Sequence, residues 1–303
     1  MTKLIDLRFS KNNLTDLIPA FIGTLKHLSV LYLGGNKLSG FIPSSIENMT
    51  MLTKLDLGMN NLSGSVPREI GQLESLVVLI LSFNNLNGSL PPEMNNLTHL
   101  MSLQMFSNNF TGHLPQDLCL GGLLVNFTAA YNHFSGPIPK SLRNCTSVFR
   151  VRFEWNQLTG NISEDFGLYP SLNYVDNDLS GELTWKWGGF HNLASLKLSN
   201  NNITGEIPSE LGEATGLQLI NLSSNLLKGT IPKELVQLKA LYNLTLHNNH
   251  LFGVLPVEIQ MLSKLRALNL ASNNLGGSIP KQLRECSNMT ILLPLNLAHK
   301  AST

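Results

Sequence analysis

The 303-residue sequence predicts an α/β solenoid of about 12 coils of 24 residues, with a parallel concave sheet and a 3-10 or irregular convex side. Three observations carry this. Asparagine recurs as a phase mark at Asn12, Asn36, Asn60, Asn84, Asn108, Asn132 and Asn156, then at Asn177, Asn201, Asn225, Asn249 and Asn273. Every step is 24 residues except the 21 from Asn156 to Asn177. Apolar residues hold offsets of −8, −5, −3 and +2 from the mark, as Leu52, Leu55, Leu57 and Leu62 do around Asn60. Nine units carry Gly-x-apolar-Pro at +4 to +7, from Gly40–Pro43 to Gly277–Pro280.

Each element of the coil follows from these offsets. Apolar residues at −5 and −3, separated by polar ones, give the period-2 pattern of a strand with one buried face. One strand per coil stacks into a parallel sheet, and the leucines bury one another across neighbouring coils. At the mark the chain bends and its backbone groups lose sheet partners. An asparagine there donates and accepts toward the backbone of adjacent coils. Glycine at +4 allows a tight turn, and proline at +7 fixes φ after it. A further apolar residue at +10, such as Ile70, faces the core from the convex side; Trp187 falls on this slot, whereas Trp185 at +8 faces outward.

Composition narrows the function classes. The 59 leucines and 34 asparagines make up nearly a third of the chain, which is architecture repeated and not an enzyme core. A net charge of +1 disfavours a general nucleic-acid or anionic-membrane surface. No apolar stretch reaches the roughly 18 residues of a membrane span. The first residues read as neither a signal peptide nor a cap. The expectation is one solenoid domain over residues 1–288 with both caps missing, and a degenerate tail over 289–303, where the phase dissolves after Cys286. In the short unit before Asn177, the sequence aligns as though positions −3, −2 and −1 were missing, with Leu172, Val175 and Asp176 remaining.

Cys145 and Cys286 occupy the +13 core slot, and Cys119 lies at +11 of the coil before Cys145. Adjacent coils permit the roughly 4.4–6.8 Å Cα separation of a disulfide, so Cys119–Cys145 is the expected bridge, with two free thiols as the alternative. Neither spacing suits zinc, no metal site is expected, and no cofactor is implied. Asn-x-Ser/Thr sequons recur, and Asn13, Asn48, Asn61, Asn96, Asn109, Asn144, Asn161 and Asn202 are the glycosylation candidates. Sequons at Asn126, Asn221 and Asn243 fall in strands, and another is at Asn288. Their excess points to an extracellular glycoprotein.

Functional chemistry belongs to the residues the repeat leaves free, at −6, −4, −2 and −1 on the concave face. Large apolar and aromatic groups concentrate there on coils four to eight, and the ligand-binding candidates of those coils are Ile80, Phe83, Gln104, Phe106, Thr128, Tyr131, Trp155, Tyr174 and Asp176. Such a patch marks an interaction surface. Arg150 and Arg152 project the same way from one strand and form a fork suited to a carboxylate such as a peptide C-terminus, unless Glu154 or Asp176 relieves them. Later coils are small and polar. No catalytic grouping of His with Ser, Cys or Asp appears, so the chain reads as a non-enzyme.

The recurring Leu-x-Gly-x-Ile-Pro text resembles the plant-specific leucine-rich repeat over about residues 4–288. Residues 117–188, including Asp117–Leu124, Arg143–Ser147, Arg150-Val151-Arg152 and Trp185-Lys186-Trp187, look like the ectodomain of plant leucine-rich repeat receptor-like kinases. Within that family they are similar to the male-discoverer-interacting type, which senses secreted serine-rich endogenous peptides. The resemblance implies a receptor at the extracellular face of the plasma membrane whose concave face, across coils four to ten, binds a secreted peptide or protein. It also implies a coreceptor ectodomain near the C-terminal coils and a kinase domain elsewhere in the parent protein. Rival readings are a leucine-rich repeat inhibitor of secreted polysaccharide hydrolases and a degenerate, truncated receptor product.

Overall fold

A computed structural model describes residues 3–165, 167, 171–174, 176–278, 280–281 and the backbone of 291–293. The chain divides into two compact units, Met1–Leu158 and Thr159–Thr303.

In the first unit, the three-residue strands Asp6–Arg8, Val30–Tyr32, Lys54–Asp56, Val78–Ile80, Ser102–Gln104, Asn126–Thr128 and Arg150–Arg152 pair in parallel, in chain order. Partners lie 24 residues apart, as in Leu55↔Leu79 and Phe127↔Val151, so the sequence period is the sheet register. From the second coil on, the −5 and −3 side chains are buried on one face. Where aromatics replace leucine, they pack specifically: Phe127 meets Phe153 edge-on at 4.7 Å, and Phe110 stacks on Phe134 at 5.7 Å. Ala129 at −3 leaves room beside these rings.

The asparagine ladder has the predicted form. Asn60 accepts from Leu38 N–H at 3.0 Å, and its amide donates to Leu33 O and Leu57 O, both at 3.1 Å. Asn84 repeats this with Leu62 N–H, Leu57 O and Leu81 O. One buried amide therefore satisfies backbone groups of two coils that strand pairing leaves over.

Beyond the ladder, Ser39–Gly40, Asn61–Gly64, Asn85–Ser89, Asn109–Gly112 and His133–Pro137 form a second, short parallel sheet. The sequence reading placed only a turn there, because the glycine at +4 signals one. That glycine does take positive φ, +75° at Gly64, yet its neighbours still pair. The proline at +7 then caps a five-residue 3-10 helix: Pro67 has φ −68°, and its carbonyl accepts from Ile70 in Arg68–Gln72. Neighbouring 3-10 segments approach so closely that a Cβ on Gly71 would run into the Glu93 carbonyl. Gly71→Ala should therefore destabilise the unit by about 1–3 kcal/mol, measured by urea unfolding. An unchanged midpoint would mean the convex side yields freely.

In the second unit, Ser171–Asn173, Ser195–Lys197, Leu219–Asn221, Asn243–Thr245, Ala267–Asn269 and Ile291–Leu293 pair in the same way. Two expectations change here. Leu172 pairs with Leu196, and Tyr174 N–H donates to Lys197 O just as Leu198 N–H does to Asn221 O. Positions −3 and −1 are thus kept by Tyr174 and Asp176, and the three missing residues belong to the segment before the strand. Among its described residues, 162–165 form turns in place of a 3-10 helix. A gap is tolerated there because the strand and ladder, which carry the hydrogen-bond register, do not pass through it. The register also continues after Cys286: Ala267 pairs with Ile291 although Leu297 stands where the next asparagine would be. Cys286, Asn288 and Val175 lie outside the described residues. Trp187 is buried against Phe190, edge-on at 4.9 Å, and Trp185 is exposed, as their offsets predict.

Candidate functional site

The chain bends at the residue just before each ladder asparagine. In coil after coil that residue has left-handed φ: Lys11 +57°, Gly35 +72°, Met59 +53°, Phe83 +56°, Ser107 +59°, Tyr131 +55° and Trp155 +58° in the first unit. An L-residue pays roughly 1–2 kcal/mol for this conformation, while glycine and, through local hydrogen bonds, asparagine take it readily. Gly35 in the first unit, and Asn200 and Asn248 in the second, are the residues such a bend favours. Bulky side chains there are outliers that the fold does not require. Met59, Phe83, Tyr131 and Trp155 nonetheless occupy it, 48–61% exposed. Retained strain with large apolar groups held in solvent points to a surface kept for binding.

These side chains are also organised. Tyr131 and Trp155 stack with centroids 5.9 Å apart at 14°. Phe83 packs against Phe106 at 4.6 Å, near-perpendicular. Gln104 donates to Ser102 Oγ at 3.2 Å, and Ile80 lies beside it on the next strand, half-buried.

The arginine fork is not two free cations. Arg152 donates through Nε to Glu154 Oε1 at 2.8 Å, and Nη2 contacts the same oxygen. Its guanidinium lies 6.0 Å over the Phe106 ring. Arg150 is exposed and, among the described residues, pairs with no carboxylate. One free guanidinium is therefore offered to solvent, beside one committed to the scaffold.

Three other site candidates are placed differently from expectation. Thr128 is buried beneath its strand neighbours and offers little surface. Tyr174 is fully buried, because it occupies the −3 core slot once the missing residues are assigned elsewhere. Asp176 is half-buried and accepts from the Asn200 amide at 2.7 Å within the second unit.

Cys119 and Cys145 form a disulfide with Cα atoms 5.9 Å apart. Asn13, Asn48, Asn61, Asn96, Asn109, Asn144 and Asn202 are exposed, and Asn161 is half-buried with its Oδ1 accepting from Ser163 N–H at 2.9 Å. Sequence reading passed over Asn87-Gly88-Ser89, a further sequon with an exposed asparagine. Among the described residues no metal-binding group assembles, and no helix is long and apolar enough to cross a membrane.

Two profiles described as leucine rich repeat match residues 2–62 and 191–251, and 75–97 and 264–286, together more than half of the chain. A leucine-rich repeat protein of Leptospira interrogans is 30% identical, over 96% of this chain and 73% of that one, with a TM-score of 0.61. The chain belongs to the leucine-rich repeat family. Among solved structures, this leucine-rich repeat chain is similar to the plant peptide hormone receptor RGFR1 in complex with RGF2, at 32% identity and TM-score 0.86, covering 96% of this chain and 51% of that one. It is likewise similar to the Arabidopsis receptor kinase HAESA in complex with the peptide hormone IDA and the co-receptor SERK1, at 33% identity and TM-score 0.85, covering 98% and 57%. The leucine-rich repeat chain thus spans about half the length of the receptor ectodomains it matches. No curated protein matches it. No enzymatic domain is evident in the chain.

Proposed function

We propose that the chain is a ligand-recognition segment of a plant receptor kinase ectodomain, and that its ligand is an extended secreted peptide lying on the concave face of residues 1–158. The observation that carries this is the row of exposed Met59, Phe83, Tyr131 and Trp155 held in left-handed backbone. Its likeness to receptors solved with peptide hormones supports the class of ligand. A rigid aromatic row gives large contact area at low entropic cost, and Tyr and Trp are the residues that dominate interface energetics. Exposed Arg150 is the group for a peptide carboxylate, with Arg152 holding its place through Glu154. The resemblance of residues 117–188 makes serine-rich secreted peptides the first candidates. A co-receptor ectodomain docking near the C-terminal coils completes the reading, by analogy with the HAESA complex.

Panning a random peptide display library on the purified chain should enrich peptides that a Phe83→Ala, Tyr131→Ala double variant no longer retains. Enrichment indifferent to both substitutions would sink the proposal.

A further inference from the structure

One hollow on the concave face of the first unit adjoins the row at Met59 and Phe83. It encloses about 210 Å³, near the lower end of or below the roughly 300–1,000 Å³ of small-molecule sites, so it suits one side chain and not a whole ligand. It exists because side chains are missing. Positions −2 and −1 carry Phe106, Tyr131 and Trp155 in later coils but Gly34, Gly35 and Gly58 here. Glycine is needed beside the acid: a Cβ on Gly34 would sit 2.6 Å from Asp56 Oδ1.

Lys11 and Gln104 also line the hollow, but Lys11 makes no ion pair with Asp56, and the acceptors buried in it are short of donors. Asp56 Oδ1 accepts from Gly58 N–H at 2.9 Å, and no lysine, arginine or histidine among the described residues lies within ion-pair distance. A carboxylate has about four acceptor sites, so most of its capacity is unused. The Ser82 hydroxyl, 3% exposed, lines the same hollow with no hydrogen-bond partner, and Ser10 Oγ is likewise unpartnered. Burial, only partly offset by the Gly58 hydrogen bond, holds the Asp56 carboxyl above the usual carboxylate range. Opposite the acid, Met59, Phe83 and Phe106 supply an apolar wall with ring faces.

We infer that this hollow is a specificity pocket for a guanidinium, the arginine side chain of a bound peptide, with Asp56 as its counter-ion. A guanidinium carries five N–H donors and no acceptor, which complements a carboxylate and two hydroxyl oxygens. Its flat, weakly hydrated faces suit contact with phenyl rings. An ammonium has fewer donors and a higher desolvation cost. An anionic group is rejected by Asp56. The occupant being part of a peptide rests on the proposed function above; the pocket's preference for a guanidinium does not.

The test uses Nα-acetylarginine amide and its neutral isostere Nα-acetylcitrulline amide, titrated into the intact chain and followed by NMR shifts of the Gly34, Gly35 and Gly58 amides. The arginine compound should bind saturably, at least about tenfold tighter than the citrulline one. Asp56→Asn should remove that difference without lowering Tm. The sign follows from the raised carboxyl. A folded-state pKa above the unfolded one means the folded state loses stability as pH rises through that window, so at neutral pH the ionised Asp56 is a net cost to the free protein. Gly34→Ala, which fills the hollow, should also remove binding. Equal binding of the two compounds, shifts that do not saturate, or full binding by Asp56→Asn would overturn the assignment. If peptide selection fails, or is indifferent to Tyr131→Ala with Trp155→Ala, which do not line the hollow, while Asp56 still discriminates the two compounds, the receptor reading falls and the pocket stands.

Discussion

Asn84→Ala should lower stability by about 1–3 kcal/mol. The substitution strands the buried Leu62 N–H, which loses its 3.0 Å bond, and takes one donor each from the Leu57 and Leu81 carbonyls, which keep the Asn60 and Asn108 amides. An unsatisfied buried backbone group costs about 1–3 kcal/mol, and one is created, with the two carbonyls that lose a second donor adding to the loss. Urea unfolding would read the loss, and hydrogen exchange should accelerate first at the Leu62 amide. Asn61→Ala is the control, since that neighbour is exposed and should change stability by no more than about 0.5 kcal/mol. A loss below about 1 kcal/mol at Asn84 would show that neighbouring coils close over the gap, and the ladder would lose its place as the fold's main polar support.

Trp155→Asn should separate stability from recognition. Asparagine tolerates left-handed φ, so the substitution relieves roughly 1–2 kcal/mol of backbone cost. It forfeits the stack on Tyr131, worth about 0.5–1.5 kcal/mol. The two nearly cancel, and Tm should stay level or rise. Peptides retained by the native chain should bind at least about thirtyfold more weakly, the loss expected of a central aromatic anchor. Calorimetry with any selected peptide measures it. A drop in Tm with binding intact would recast Trp155 as a structural residue and remove the strain argument for the whole row.

The parts of the molecule that were legible in sequence are those that each coil must repeat. Strand register, the ladder and the core slots of Leu55, Leu79 and Trp187 follow from offsets alone, because hydrogen bonding fixes the 24-residue period. What failed were decisions about single residues. Tyr174 looked like a surface aromatic because the missing residues were assigned to the strand, where they would break the ladder, and not to the convex segment, where they do not. Thr128 has the right offset, but larger neighbours cover it. The Arg152–Glu154 contact was foreseen only as an alternative, since two residues on one strand face show their spacing but not their rotamers. The left-handed position left no signal that a side-chain pattern reveals: Met59, Phe83 and Trp155 conceal the conformation that Gly35 would suggest. The Asp56 hollow was missed for a related reason. It is defined by glycines, and glycines in a repeat read as turns.

The disulfide links residues that belong to consecutive coils, so the covalent ring it closes passes once around the solenoid. In a structure where each coil touches only its neighbours, unravelling proceeds coil by coil from an end. Peeling that arrives from the N-terminal side finds two coils tied as one double-width unit and must free both together. A single cut by a protease in the loop between Leu120 and Asn144, outside the strand Asn126–Thr128, leaves the chain joined through sulfur and that strand still tethered to the bridge on one side. Under the proteolysis that the proposed receptor role would expose it to, the coil carrying Tyr131 would keep its place after damage that would release an unbridged one.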